Sequence, residues 1–212
     1  MSRLVLILLL FPCHLFGADV IRKGELRPEN SYLHVLVYSD GILAGLGHDH
    51  VIAATGWKGH YEIKNSTELN ATIIIPIKHL IIDRQEDRAK YPHLHQKEQP
   101  ASADIEATKS NMLGEQVLDV NRYPTIAALI SGDIKTQRMR IRMMLRGHSA
   151  TVPTDYTTVC ENGALKIKLS LRFNHSDFGL TPYSALFGAI KVANAIDFHI
   201  LAGTSEKCDA TS

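Results

Sequence analysis

Apolar and polar residues alternate with a period of two through most of this chain, and that alternation fixes the class of fold. From Leu165 to Phe173 the residues Leu165, Ile167, Leu169, Leu171 and Phe173 take one face, while Lys166, Lys168, Ser170 and Arg172 take the other. Met139, Ile141, Met143 and Leu145 oppose Arg138, Arg140, Arg142 and Arg146 in the same way. Ile190, Val192, Ile196, Phe198 and Ile200 oppose Lys191, Asp197 and His199. Earlier, Trp57, Tyr61 and Ile63 face away from Lys58, His60, Glu62 and Lys64, and Leu69, Ala71, Ile73, Ile75 and Ile77 from Glu68, Asn70 and Thr72. Successive side chains of a strand point to opposite faces, so each segment reads as a strand buried on one side and wet on the other. A wet face implies antiparallel pairing, because parallel strands are covered on both faces and read as continuous apolar runs.

Turn chemistry separates the segments: Asn65-Ser66-Thr67 follows one strand and Glu161-Asn162-Gly163 precedes another. The stretches Asn30 to Asp40, Thr125 to Asp133 and Ala150 to Val159 add strands with less distinct faces. The total is about eight, and closing such a sheet into a barrel removes its exposed edges. One interruption, from His79 to Arg122, is too long for a hairpin. Within it Ser102 caps a predicted helix that runs to about Leu118 and carries Ile105, Met112, Leu113 and Val117. Tyr123-Pro124 then forces extended backbone into the next strand.

The first 18 residues are set apart from the fold. Arg3 precedes an unbroken apolar run, Leu4 to Phe11, which Pro12 ends before Gly17 and Ala18. This is the layout of a secretory signal peptide cleaved near Gly17 or Ala18. A retained anchor or a lipidated Cys13 are the alternatives, against which stand the shortness of the run and Pro12. Residues 19–212 are expected to form one soluble domain in the periplasm or outside the cell. Cys160 and Cys208 then remain and allow one intramolecular disulfide, whose closeness in space the sequence does not reveal. A net charge of +1 on 212 residues supplies no field to hold nucleic acid.

Histidine is abundant, with 11 in the chain. His48-Asp49-His50 and His93-Leu94-His95 each present two imidazoles to one side in extended backbone, so His48, His50, His93 and His95 are candidate metal ligands. The opposing reading is a histidine bonded to backbone in a turn containing Gly45 and Gly47. No Gly-x-Ser-x-Gly elbow, His-Glu-x-x-His pair or P-loop occurs, and the expectation is a protein that is not an enzyme. Asp83, Arg84, Glu86, Asp87 and Arg88 read as a solvated charged turn, and the arginine row of residues 138–146 as a solvated strand face that could also meet anionic lipid headgroups.

Met112-Leu113-Gly114-Glu115-Gln116-Val117-Leu118-Asp119-Val120-Asn121-Arg122-Tyr123-Pro124-Thr125-Ile126 resembles the helix-to-strand segment of the YceI-like family. Arg172-Phe173-Asn174-His175-Ser176-Asp177-Phe178-Gly179, followed by the strand Ile190 to Leu201, is similar to its closing stretch, and Gly45-Leu46-Gly47-His48-Asp49-His50 with Trp57 to a subset of it. The resemblance spans about residues 22–202. Asn30-Ser31 stands where the family usually has His-Ser, and Arg140-Ile141-Arg142-Met143-Met144-Leu145 replaces a Leu- and Thr-rich strand. The resemblance implies an all-β fold: an eight-stranded antiparallel lipocalin-like β-barrel, with the helix-bearing insertion between early and middle strands. It also implies export to the bacterial periplasm and an apolar interior that binds a polyisoprenoid or similar amphiphilic lipid, with no other cofactor.

The face assignments would then line that interior with Trp57, Tyr61, Ile73, Met139, Met143, Leu169, Phe173 and Phe198, with His48 and Asp49 offering polar contacts near a mouth. Gly59 and Ala71 would leave or shape a tunnel. The expected partner is a lipid, with transient membrane contact and a monomer or homodimer as the assembly. The alternative is a periplasmic metal-binding protein built on the histidine clusters.

Overall fold

The computed structural model describes residues 21–94 and 99–208. The leader assigned to residues 1–18 and the candidate ligand His95 lie outside them. The alternating segments all form strands: β1 (Arg22–Asp40), β2 (His50–Ala54), β3 (Lys58–Lys64), β4 (Glu68–Pro76), β5 (Leu80–Ile82), β6 (Thr125–Asp133), β7 (Arg138–Leu145), β8 (His148–Asp155), β9 (Thr157–Glu161), β10 (Ala164–Asn174), β11 (Ser184–Ala185) and β12 (Ile190–Lys207).

These strands make one 12-stranded antiparallel sheet in the order β8-β7-β6-β4-β3-β1-β12-β10-β9. The higher count has a simple origin. β2 and β3 lie end to end along β1, which pairs with β3 through Arg22–Leu26 and with β2 through His34–Val37. β4 and β5 continue each other in the same way, separated by a 3-10 turn at Ile77–His79, and β8 and β9 are separated by Tyr156 alone. The ring positions are therefore about eight, as the patterning predicts.

The strand of β8 and β9 closes the curl. β8 pairs with β7 from His148↔Leu145 to Asp155↔Arg138, and after Tyr156 the chain changes sides, β9 pairing with β10 from Thr157↔Lys168 to Glu161↔Ala164. The Tyr156 N–H still reaches Gln137 O on the first side (3.0 Å). At the far end of β9, Cys160 is bonded to Cys208 with a Cα–Cα distance of 5.9 Å. The bridge ties β9 to the end of β12 across the start of β10.

The helical insertion lies between β5 and β6, where the sequence places it, but it differs in two respects. The helix α2 runs over Ser102–Leu113 and stops short of Leu118, because Gly114 leaves the helical region and the Leu118 N–H turns back to Met112 O (3.0 Å). None of its residues is buried; the buried anchor is Leu118 in the following turn. A single helical turn, α1 (Gln85–Arg88), precedes it. The charged segment read as solvated is so only in part: Arg84 and Glu86 are exposed, but Asp83, Asp87 and Arg88 are 1%, 2% and 8% exposed. They fold over the outer side of β1 and β2, which the run of charge in the sequence conceals.

Candidate functional site

Every apolar residue assigned to the interior lies in one continuous core. Trp57, Tyr61, Ile73, Met139, Met143, Leu169, Phe173 and Phe198 are all buried within it. Phe173 is central, with ring centroids 5.3 Å from Phe178 and 5.7 Å from Phe198. Edge-to-face and tilted aromatic contacts at such distances add to simple area burial. Tyr61 keeps a polar handle, its hydroxyl lying 3.2 Å from Ser205 Oγ and donating to Glu206 Oε1 at 3.1 Å.

Gly59 does not leave a tunnel. Leu26 occupies the space, since a Cβ on Gly59 would stand 2.8 Å from Leu26 Cδ1 and 3.3 Å from Ile73 Cγ1. Ala71 is half-buried against the same core. Two open cavities, of about 490 and 720 Å3, lie elsewhere. The first is lined by wet-face residues that include His60, Asn70, Arg140 and Arg142, the second by the β6–β7 turn and β8. Of the assigned interior residues, Ala71 borders the first and Met139 the second.

Of His48 and Asp49, expected to offer polar contacts near a mouth, Asp49 is committed within its own loop. Asp49 is 4% exposed, and its carboxylate accepts from Ser39 N (2.8 Å) and Ser39 Oγ (3.1 Å), which pins the loop between β1 and β2. His48 Nδ1 is buried without a hydrogen-bond partner. The His48 and His50 rings stand 6.4 Å apart, and His50 Nδ1 is committed to Asp83 Oδ2 at 2.6 Å. His93 is exposed beside Tyr91. Among the described residues, no three His, Cys, Asp or Glu side chains are gathered to hold a metal ion.

The arginine row is mostly engaged within the chain. Arg138 faces Asp155 (3.3 Å), Arg142 donates to Ser149 Oγ (3.1 Å), and Arg146 donates to Glu115 O (2.8 Å) and Gln116 O (3.3 Å).

Sequence reasoning missed a second buried cluster, on the outer side of β1. His34, Leu36 and Tyr38 alternate with the inward Leu33, Val35 and Val37, and the α1 segment covers them. His34, 1% exposed, holds Asp87 Oδ1 at Nε2 (2.9 Å) and Tyr91 Oη at Nδ1 (2.9 Å). A neutral ring with its proton on Nε2 satisfies both contacts, donating to the carboxylate and accepting from the phenol. Asp83 accepts from His50 through Oδ2, and from Val51 N (2.9 Å) and Arg88 Nη1 (2.8 Å) through Oδ1. Arg88 Nη1 also donates to Asp49 O (2.7 Å).

Burial opposes charge on Asp83, but the hydrogen bonds from His50, Val51 and Arg88 hold its carboxyl below the usual range. Asp87 is likewise lowered, against its burial, by Arg84, His34 and Lys90. Burial lowers His34 below an ordinary imidazole although Asp87 pulls the other way, and raises the phenols of Tyr38 and Tyr91. A hydroxyl so held is a structural donor and not an activated nucleophile. The available signal was in β1 itself: Leu33 to Tyr38 is apolar on both faces apart from His34, which marks a strand covered on both sides.

A third feature is exposed. Ile42 and Leu46 in the β1–β2 loop, and Tyr183, Leu186 and Phe187 before β12, are 90%, 69%, 56%, 62% and 111% exposed. The two loops are joined by Leu43 N donating to Ala189 O (2.9 Å), so these side chains share one end of the barrel. Leu186 and Phe187 both have positive φ (49° and 55°), a conformation uncommon for bulky residues.

Residues 58–202 match the model of the YceI-like domain. The crystal structure of Burkholderia cenocepacia BcnA is similar to this fold with a TM-score of 0.60 at 10% identity, over 85% of this chain and 99% of that one. Two crystal structures of mutant CJ YceI protein are also similar. One, for nanotechnology applications, has a TM-score of 0.43 at 11% identity, and the other, with a monobromobimane guest structure, 0.44 at 10%; each covers 73% of this chain and 85% of its own. The comparison with curated proteins gave no match. The strand order, the insertion between β5 and β6 and the match across most of its length place this chain in the YceI-like family.

Proposed function

We propose that this chain is a binding protein without catalytic chemistry, which holds a polyisoprenoid or similar amphiphilic lipid in the apolar interior of its barrel. The observation that carries the reading is the single continuous apolar core inside a curled sheet, with Met139 and Met143 among its walls. Methionine side chains adapt their shape, so a filled interior can rearrange around a slender guest. Each buried methylene contributes roughly 0.8 kcal/mol, so a few isoprene units bring several kcal/mol to a complex.

Export to the periplasm or the cell exterior is part of the same proposal. The Cys160–Cys208 bridge supports it, since such bonds persist in oxidising compartments. The apolar end formed by Ile42, Leu46, Leu186 and Phe187 is the part that would touch a membrane in passing.

Native mass spectrometry of the mature protein from its own envelope, without added detergent, tests the reading. The expected result is an adduct of lipid mass that extracts into organic solvent and is absent from a Leu169→Arg variant that retains its β-sheet circular dichroism. The bare polypeptide mass, together with no binding of added lipid, would overturn it.

A further inference from the structure

Among the described residues, β8 and β10 are neighbours in the ring that carry no ladder. β10 pairs with β12 along its length and with β9 only as far as Lys168; from Leu169 to Asn174 its other side faces β8. β8 in turn is laddered only to β7. Thr154 Oγ1 donating to Ser170 O (3.1 Å) spans the gap.

The sequence supplies a reason. Pro153 sits in the middle of β8, and proline has no N–H to give a neighbouring strand. It is tolerated because β7 needs none there, and it belongs where a strand is an edge.

Burial along the strands shows what lies behind the gap. On β7 the inward residues Met139, Ile141, Met143 and Leu145 are all buried. On β8 the inward Ala150, Val152 and Thr154 are only half-buried, so solvent reaches the barrel wall along this line. Immediately across from them Leu169, Leu171 and Phe173 of β10 belong to the core. Other routes inward are stoppered: Leu118, Phe178 and Leu180 are buried at one end, and Ile63 and Leu69, paired across the β3–β4 hairpin, at the other.

We propose that the β8–β10 seam is a lateral port, through which an apolar chain enters and leaves the interior by parting the two strands about Tyr156. This rests on the interior-binding reading above. Parting any laddered pair of strands breaks a row of backbone hydrogen bonds, whereas parting this one breaks a side-chain bond. A wall that opens sideways also lets a filled core widen without unplugging either end.

Stopped-flow uptake of dansylated farnesol by the mature protein, with its native disulfide intact, tests the port. In a Thr154→Cys/Ser170→Cys variant, a short bis-methanethiosulfonate linker across the seam is expected to slow uptake about tenfold or more, as a locked lid does. The same variant capped at each cysteine with methyl methanethiosulfonate, which also lacks the Thr154 hydroxyl, should take up the probe at least as fast as the unmodified protein. Thr154→Val, which removes the cross-seam bond without a linker, is expected to speed association and release together while leaving the dissociation constant nearly unchanged. Uptake at an undiminished rate by the linked protein would overturn the port while leaving interior binding intact. Failure of the unmodified protein to bind the probe would overturn interior binding, and the port with it.

Discussion

Asp83 receives an imidazole, a guanidinium and a backbone N–H while almost wholly withdrawn from water. Asp83→Ala would take one carboxylate acceptor from both Arg88 and His50, and removing one member of a buried pair costs about 3–5 kcal/mol. Urea unfolding should show a loss of that order in the mature protein. Acid should act on the same cluster in two steps. Asp83 and Asp87 have folded pKa values below their unfolded ones, so they stabilise the fold above about pH 4 and that contribution is lost as pH falls further. His34 is also depressed, so its contribution is present above about pH 6.5 and declines as pH falls through that value toward its folded pKa. Thermal melts from pH 8 to 3 should therefore decline first as pH falls through about 6.5, and His34→Gln should reduce that early decline, leaving the share of His175 and His199, which burial also lowers. None of this was legible in the sequence. A run of charged residues has the same composition whether water or a folded-back strand surrounds it, and only the two-sided apolar character of β1 hinted at a cover.

At the scale of elements, periodicity read orientation well and continuity poorly. The faces of β3, β4, β7, β10 and β12 follow from alternation, because the side-chain period of a strand is geometric and survives any choice of neighbour. The breaks at residues 55–57, 77–79 and 156 do not follow, since they depend on which neighbour each half pairs with. The helix shows a related limit: Ile105, Met112, Leu113 and Val117 were read as carried on one helix to about Leu118, yet the helix ends at Leu113, none of its residues is fully buried, and only Met112 and Leu113 at its end pack partly against the core. Ile105→Lys should thus leave the unfolding midpoint nearly unchanged, whereas Leu118→Ala should cost about 2–5 kcal/mol, as for other buried leucines. A chemical-denaturation series on the two variants checks the pair, and equal effects would mean that α2 packs more deeply than its exposure indicates.

For the whole molecule, the all-β class, the ring of about eight strands and the insertion that separates early from middle strands were all in the patterning. The apolar end was not, because isolated hydrophobic residues in loops carry no period and are common on protein surfaces. Gathered on two joined loops, they should bind lipid: Leu186→Ser with Phe187→Ser is expected to lower co-sedimentation with phosphatidylethanolamine–phosphatidylglycerol vesicles about tenfold, as the loss of one or two buried apolar side chains implies. Unchanged co-sedimentation would assign that end another role.

The first long strand and the last are partners. β1 pairs with β12 from Leu26↔Thr204 to Asp40↔Lys191, so the neighbour of the earliest strand is the latest to be made. Contacts so distant in sequence form slowly, since the loop between them must be closed before any of them can stabilise it. Closure of the ring thus waits until β12 has been made. Until then β1 keeps one edge open over its 19 residues, with only β2 and β3 along the other, and an open edge of that length is a template for wrong pairing.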